Sequence, residues 1–179
     1  MTATTFALDF GALSDEVMEQ YTQAKLDKVL ECVLDVMEYK RQNGLKFAYF
    51  EGIDDDIWCK PKQLSVYIAD AIEAQELNRE YRQKDYATNV LSYPSQMSSE
   101  ILAVLPQLPL GELVLCHEVV AKQASEQGKA FYDHLVHLLV HGILHLLGFD
   151  HELGDLQADE MEGFEIEILA KLGINNPYS

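Results

Sequence analysis

Positive charge is what this sequence has least of. Its 179 residues carry 13 Lys and Arg against 30 Asp and Glu, a formal net charge of −17 at pH 7. Such a surface excludes a general polyanion binder and a polybasic membrane-surface protein, although a local basic groove stays open to it. Cysteine is scarce: Cys32, Cys59 and Cys116 are odd in number and far apart. That pattern fits a reducing cytoplasm better than a disulfide framework. No uninterrupted run of about 18 apolar residues occurs, and the most apolar region carries four histidines, so no membrane span is expected. The opening MTATTFALDF lacks the basic and long apolar parts of a secretory signal, so none is expected. Internal repeats and low-complexity tracts are missing too.

What remains is the composition of one soluble globular domain, 48% hydrophobic and 24% charged. A chain of this length buries roughly 70% of its unfolded surface, enough for a sizeable core. Thr4 to Phe10 alternates weakly and is expected as a first strand. Ser14, followed by Asp15 and Glu16, is a plausible N-cap for a long helix. In that helix Leu26, Val29, Leu30, Val33, Leu34 and Met37 follow the spacing of one buried face, and Asn43-Gly44 stops it. Leu45 to Phe50 could extend as a strand, and Asp54-Asp55-Asp56 reads as a solvated turn rather than a metal site. Strands are expected at 64–68, 88–93 and 112–116, and a surface loop at 95–109. Helices are expected from Ile72 to about Arg82, from the last strand to near Gly128, over Phe131–Leu147, and from about Leu156 to Leu172. The class is therefore α+β: a small mixed sheet of about four strands packed with about five helices in a single domain over 1–179.

The chemistry is concentrated in H141-G-I-L-H145-L-L-G148-F-D150-H151. His141 and His145 are one helical turn apart, about 6 Å along the axis and on one face. Two imidazoles so placed can close on one zinc ion, and Gly148 breaks the helix so that His151 returns as a third ligand. Three protein ligands leave a fourth position for water, the mark of a catalytic site rather than a structural one. The frame is that of the zincin motif H-E-x-x-H-x-x-G-x-x-H, but Gly142 stands where a metallopeptidase carries its general-base Glu. His134 and His137 share the face within an arc of about 80°. His134 is about 10 Å from His141, too far to be a ligand. His137 is a candidate for the cleft wall or for supporting a ligand, and His117 could face the cleft or solvent. Asp150 and Glu152 flank His151, where either could hold a ligand imidazole by its other N–H. No general base is obvious.

The segment from His134 to His151 resembles the signature of the YbeY family of bacterial rRNA maturation factors. Two further segments are similar to that family in order: L77-N-R-E-Y-R82-Q-K-D85-Y-A-T88-N-V-L-S-Y-P94, and L110-G-E-L-V-L-C-H-E-V-V120 with E126-Q-G-K129. The resemblance covers about residues 64–172 and fades over 45–62, which looks like an insertion. It implies a zincin-like site on a central helix with one zinc per chain, cytoplasmic location, and single-strand-specific endoribonuclease activity. The work implied is 16S rRNA 3′-end maturation and ribosome quality control on the small ribosomal subunit, with a ribosomal protein as one possible docking partner; no DNA or membrane partner is expected. Arg82 matches the arginine essential in the family, a guanidinium suited to clamp the scissile phosphate. Without that match, an ion pair with Asp85 is the simpler role for it.

The acid excess bears on substrate binding, since polyanion affinity comes mainly from Lys and Arg. Residues 131–179 hold nine acids and one base, Lys171. Arg79 and Lys84, near Arg82, are the best RNA-contact candidates, with Lys60, Lys62 and Lys129 as contributors and Tyr81, Tyr86 and Tyr93 as stacking candidates. Weak, salt-sensitive RNA binding is expected. Two other readings compete: a peptidase, which Gly142 opposes, and a non-catalytic assembly factor whose zinc pins the turn at Gly148.

Overall fold

The computed structural model describes residues 4–179, so the first three residues of the segment read for a secretory signal lie outside it. Four strands, β1 (Thr5–Phe10), β2 (Lys62–Ala69), β3 (Val90–Pro94) and β4 (Leu108–Cys116), form one sheet in the order β1-β2-β4-β3. β1 pairs parallel with β2, and β2 parallel with β4; β3 runs antiparallel to β4 and forms an edge. Successive side chains of a strand point to opposite faces. In β4 this sends Leu113 and Leu115 into the main core, and Val114 and Cys116 into a smaller cluster behind the sheet.

The helices are α1 (Asp15–Met18), α2 (Gln23–Gln42), α3 (Asp55–Trp58), α4 (Ala71–Arg82), α5 (Ser99–Val104), α6 (His117–Glu126), α7 (Phe131–Leu147) and α8 (Asp155–Lys171). Five of these (α2, α4, α6, α7 and α8) have ten or more residues, so the α+β class with a small mixed sheet is the architecture observed. α2 and α7 cover one face of the sheet, α8 packs against both, and α4 takes the opposite face. α7 is the central element. Eleven of its 17 residues are buried, so packing on both sides carries this helix more than intrinsic propensity does. No single helix among the described residues is long and apolar enough to cross a membrane.

Three expectations are corrected. Ser14 caps only the single turn α1, where its side chain accepts from Val17 N. The chain then bends so that Tyr21 enters the core beside His117, and the long helix starts afresh at Gln23. Residues 45–50 form no strand but a 3-10 turn over Ala48–Phe50. Phe47 and Phe50, three apart, both pack on Trp58, with ring centroids 5.2 and 5.7 Å away. A strand would send them to opposite faces. The 95–109 segment is not all loop: Ser98 caps α5, Leu102 is buried, and β4 starts early, at Leu108. Lys60 closes the end of α5, its Nζ donating to the carbonyls of Leu102, Ala103 and Leu105 at 2.7, 2.9 and 2.7 Å.

Segment 45–62 is fastened to α2 through Glu38. That carboxylate accepts from Arg41 Nε and Nη2 (2.9 and 3.0 Å), from Trp58 Nε1 (2.6 Å) and from Gln42 (3.1 Å). Burial raises the Glu38 pKa, but these hydrogen bonds and the Arg41 charge outweigh it and leave the group below the usual carboxylate range. Its stabilisation is thus complete above the ordinary carboxylate pKa of about 4.3 and is lost as pH falls through the lower folded-state value. Glu38→Ala strands the Trp58 N–H and half of the Arg41 fork. It should cost about 1–3 kcal/mol in urea unfolding at pH 7, with the gap to wild type narrowing in acid.

Candidate metal centre

The apolar periodicity of α7 puts Leu135, Leu139 and Leu146 in the core and turns His141 and His145 toward a cleft. Gly148 ends the helix with φ +111°, in the left-handed region that favours glycine. Gly148 N donates to His145 O at 3.0 Å and Phe149 N to Leu144 O at 3.1 Å, closing the last turn. A Cβ at Gly148 would lie 2.7 Å from Ala48 Cβ, so the turn also rests directly on the 45–62 segment. Phe149 continues that contact, with Phe47 at 5.9 Å on one side and Phe164 at 5.2 Å on the other. The chain then enters a 3-10 turn over His151–Leu153, returning His151 to the cleft.

His141, His145 and His151 each place a ring nitrogen within 4.8 Å of the others. Their ring centroids are 4.5, 5.1 and 5.3 Å apart. The outer nitrogens of the two helical histidines are committed. His145 Nδ1 lies 2.8 Å from Phe149 O, which can only accept, so this nitrogen carries the proton. His141 Nδ1 donates to Glu165 Oε1 at 2.7 Å. In the neutral rings both Nε2 atoms then present lone pairs, and they face each other at 3.0 Å. Tetrahedral zinc at bond lengths of about 2.0–2.1 Å would hold two such nitrogens about 3.3 Å apart. The donor set fits a divalent cation, and without one the two lone pairs repel. Burial, helped by His141 and His151, pushes the His145 pKa down to about 4, so protons do not compete for that nitrogen at neutral pH.

Glu165, on α8, is fully buried. Burial alone would raise its pKa; hydrogen-bonding contacts with His137, His141 and Tyr178 bring it instead to about 2. Tyr178 donates to Glu165 Oε2 at 2.6 Å. His137 Nε2 stands 3.5 Å from Glu165 Oε1 and 3.3 Å from the Tyr178 hydroxyl, so His137 is at the cleft wall and beside the support of His141. The support expected from Asp150 or Glu152 falls to Glu165. Asp150 Oδ1 accepts from Glu152 N at 2.8 Å and so shapes the His151 turn, while Glu152 faces Arg82. Glu165 carried one signal in the sequence: it lies four residues after Met161 and three before Ile168, on a buried stripe. A carboxylate at a core position needs a partner there.

Arg82, at the end of α4, lines the same cleft of about 460 Å³, together with β3, the three histidines, Tyr49, Tyr81 and Tyr178. Its Nη2 is 3.5 Å from Glu152 Oε1. The Asp85 pairing belongs instead to Arg79, at 3.8 Å. Arg79 and Lys84 are exposed and do not line the cleft. Lys62 lies over the Trp58 ring at 4.2 Å and donates to Trp58 O. His117 does not reach the cleft: its Nδ1 meets the Tyr21 hydroxyl at 2.7 Å, and Phe131 lies 5.1 Å away. His134 is buried against Gln123 at 3.0 Å. Tyr49 and Tyr178, two cleft residues, were not among the expected set.

A family model described as "Endoribonuclease YbeY" matches residues 14–173. A protein of that name from Psychrobacter cryohalolentis is 54% identical over 152 residues, covering 84% of this chain and 98% of that one. Another, from Psychrobacter arcticus, is 60% identical over 139 residues, covering 77% of this chain and 68% of that one. The solution structure of TM1509 from Thermotoga maritima aligns with a TM-score of 0.49 at 22% identity, covering 94% of this chain and 91% of that one.

Proposed function

Because the chain belongs to the YbeY endoribonuclease family, we propose that it is a zinc-dependent endoribonuclease specific for single-stranded RNA. Its place of action in this reading is 16S rRNA 3′-end maturation and ribosome quality control, in the cytoplasm on the small ribosomal subunit. One observation carries the catalytic part: three imidazoles converge on one point, the two helical ones with their outer N–H groups committed, in the same cleft as an arginine.

His141, His145 and His151 would hold the ion, and an all-nitrogen set of three suits zinc with one position open. The chemistry a zinc ion supplies when bound is Lewis acidity toward water and phosphoryl oxygen near neutral pH. Arg82 binds the scissile phosphate. Its contact with Glu152 is long and sits at the cleft mouth, so a phosphate oxygen pair displaces that carboxylate at little cost and gains a planar, permanently charged fork. Glu165 keeps His141 in one tautomer, and Phe149 O does the same for His145. Tyr49 and Tyr81 leave 38% and 50% of their surface exposed at the cleft, where unstacked bases can lie against them.

Three donors, rather than four, make up the cluster among the described residues, which favours a catalytic over a purely structural ion. That weighs against the assembly-factor reading. The test is cleavage of one RNA oligonucleotide, single-stranded and annealed, by wild type and Arg82→Lys purified identically. Wild type should cut the single strand and spare the duplex. The variant should be about 10²- to 10³-fold slower with normal zinc content. Equal rates in both proteins, or no cleavage by either, would overturn the reading.

A further inference from the structure

The residues after α8 turn back toward the metal centre. Ile174 packs against the main core. Asn176 Oδ1 then accepts from Tyr178 N at 2.8 Å, a local turn that aims the phenol inward. Its hydroxyl donates to Glu165 Oε2, the oxygen that His141 does not use; the 2.6 and 2.7 Å bonds grip the carboxylate from two sides. Glu165 has no solvent exposure, so water cannot take over either position without rearrangement. The Tyr178 ring stands perpendicular to His137, centroids 5.5 Å apart, and lines the cleft with 46% of its surface exposed. It lies beyond residues 14–173, the span the family model matches.

We propose that Tyr178 is a positioning residue for the metal centre: by fixing Glu165 it holds the His141 ring with Nε2 on the shared point. The inference rests on the metal-dependent reading above. In Tyr178→Phe the carboxylate keeps its place in the core but loses one grip, and the His141 ring gains freedom about its Nδ1 bond.

The experiment measures Zn²⁺ affinity by competition with a chromophoric chelator, and the His141 Nδ1–H resonance of the metal-free protein by NMR. Wild type, Tyr178→Phe and Tyr39→Phe are compared; Tyr39 is 70% exposed and outside the cleft. Tyr178→Phe should bind zinc about tenfold more weakly, with a shifted or broadened His141 resonance and an unfolding midpoint equal to that of Tyr39→Phe. Unchanged affinity and resonance would overturn the proposal and leave the nuclease reading standing. A lower midpoint with unchanged affinity would make Tyr178 a structural tether, which also overturns it. Slower RNA cleavage with affinity and resonance unchanged would assign the hydroxyl to the substrate side, against the proposal. Failure of wild type to bind zinc would sink the metal-dependent reading itself and this inference with it.

Discussion

His145→Ala should leave the purified protein without stoichiometric zinc and lower cleavage of single-stranded RNA at least about 10³-fold. His145 is in reach of both other members of the cluster: its ring is 4.5 Å from that of His141 and 5.3 Å from that of His151. Removing it leaves two donors on separate segments, one in a core helix and one in an exposed turn. No neighbour can substitute, because His137 is directed at Glu165 and Tyr178, and His134 at Gln123. The fold should survive, since a truncated ring at the cleft opens toward solvent rather than leaving a sealed cavity. His117→Ala is the matched control. It loses the bond to Tyr21 but should keep one zinc per chain and wild-type cleavage. Zinc content by elemental analysis and a single-stranded RNA time course check both variants, and retained cleavage by His145→Ala would defeat the proposed centre.

Gly142→Glu, which restores the zincin motif by letter, should destroy the fold rather than create a peptidase. A Cβ at position 142 would lie 2.8 and 3.1 Å from the two methyl carbons of Leu113, on β4. The position is buried where α7 presses on the sheet. Glutamate there adds overpacking of about 1–3 kcal/mol and an unpaired buried charge of about 3–5 kcal/mol. The sum of roughly 4–8 kcal/mol is most of the stability of an ordinary domain. The expected result is a chain recovered mostly insoluble, or a thermal midpoint lowered by at least about 8–16 °C. A folded variant with peptidase activity would show that position 142 faces the cleft after all.

How much was legible follows from where each signal resides. α7 reads to the residue, Phe131 to Leu147, because a full helical period and a left-handed glycine stop are both local. The three histidines share that legibility, lying within eleven residues of chain. Glu165 and Tyr178 do not: their partner histidines are 24 and 41 residues distant, and only packing of α8 and of the residues after it brings them in. His117 finds Tyr21 across 96 residues, so its own neighbours in sequence could not say which way it faces. Arg79 and Arg82 lie three apart on α4, and the Asp85 pair that would have been the simpler role for Arg82 is made by Arg79, while Arg82 lines the cleft. The stretch 45–50 could be read as a strand because what decides against it, the packing of Phe47 and Phe50 on one Trp58, is made eight and more residues further along the chain.

The three histidines straddle a boundary in local stability. His141 and His145 belong to the most enclosed helix, whose amides should exchange with deuterium only through global opening. His151 sits in an exposed turn, where the Asp150 contact to Glu152 N is a local bond that can open without the core. A bound ion would join the two: on metal loading the amides of 150–153 should slow markedly, and those of 135–147 should slow as well, because an ion held only by the folded chain makes global opening costlier. The slowest clock in the molecule is thereby lent to one of its fastest loops.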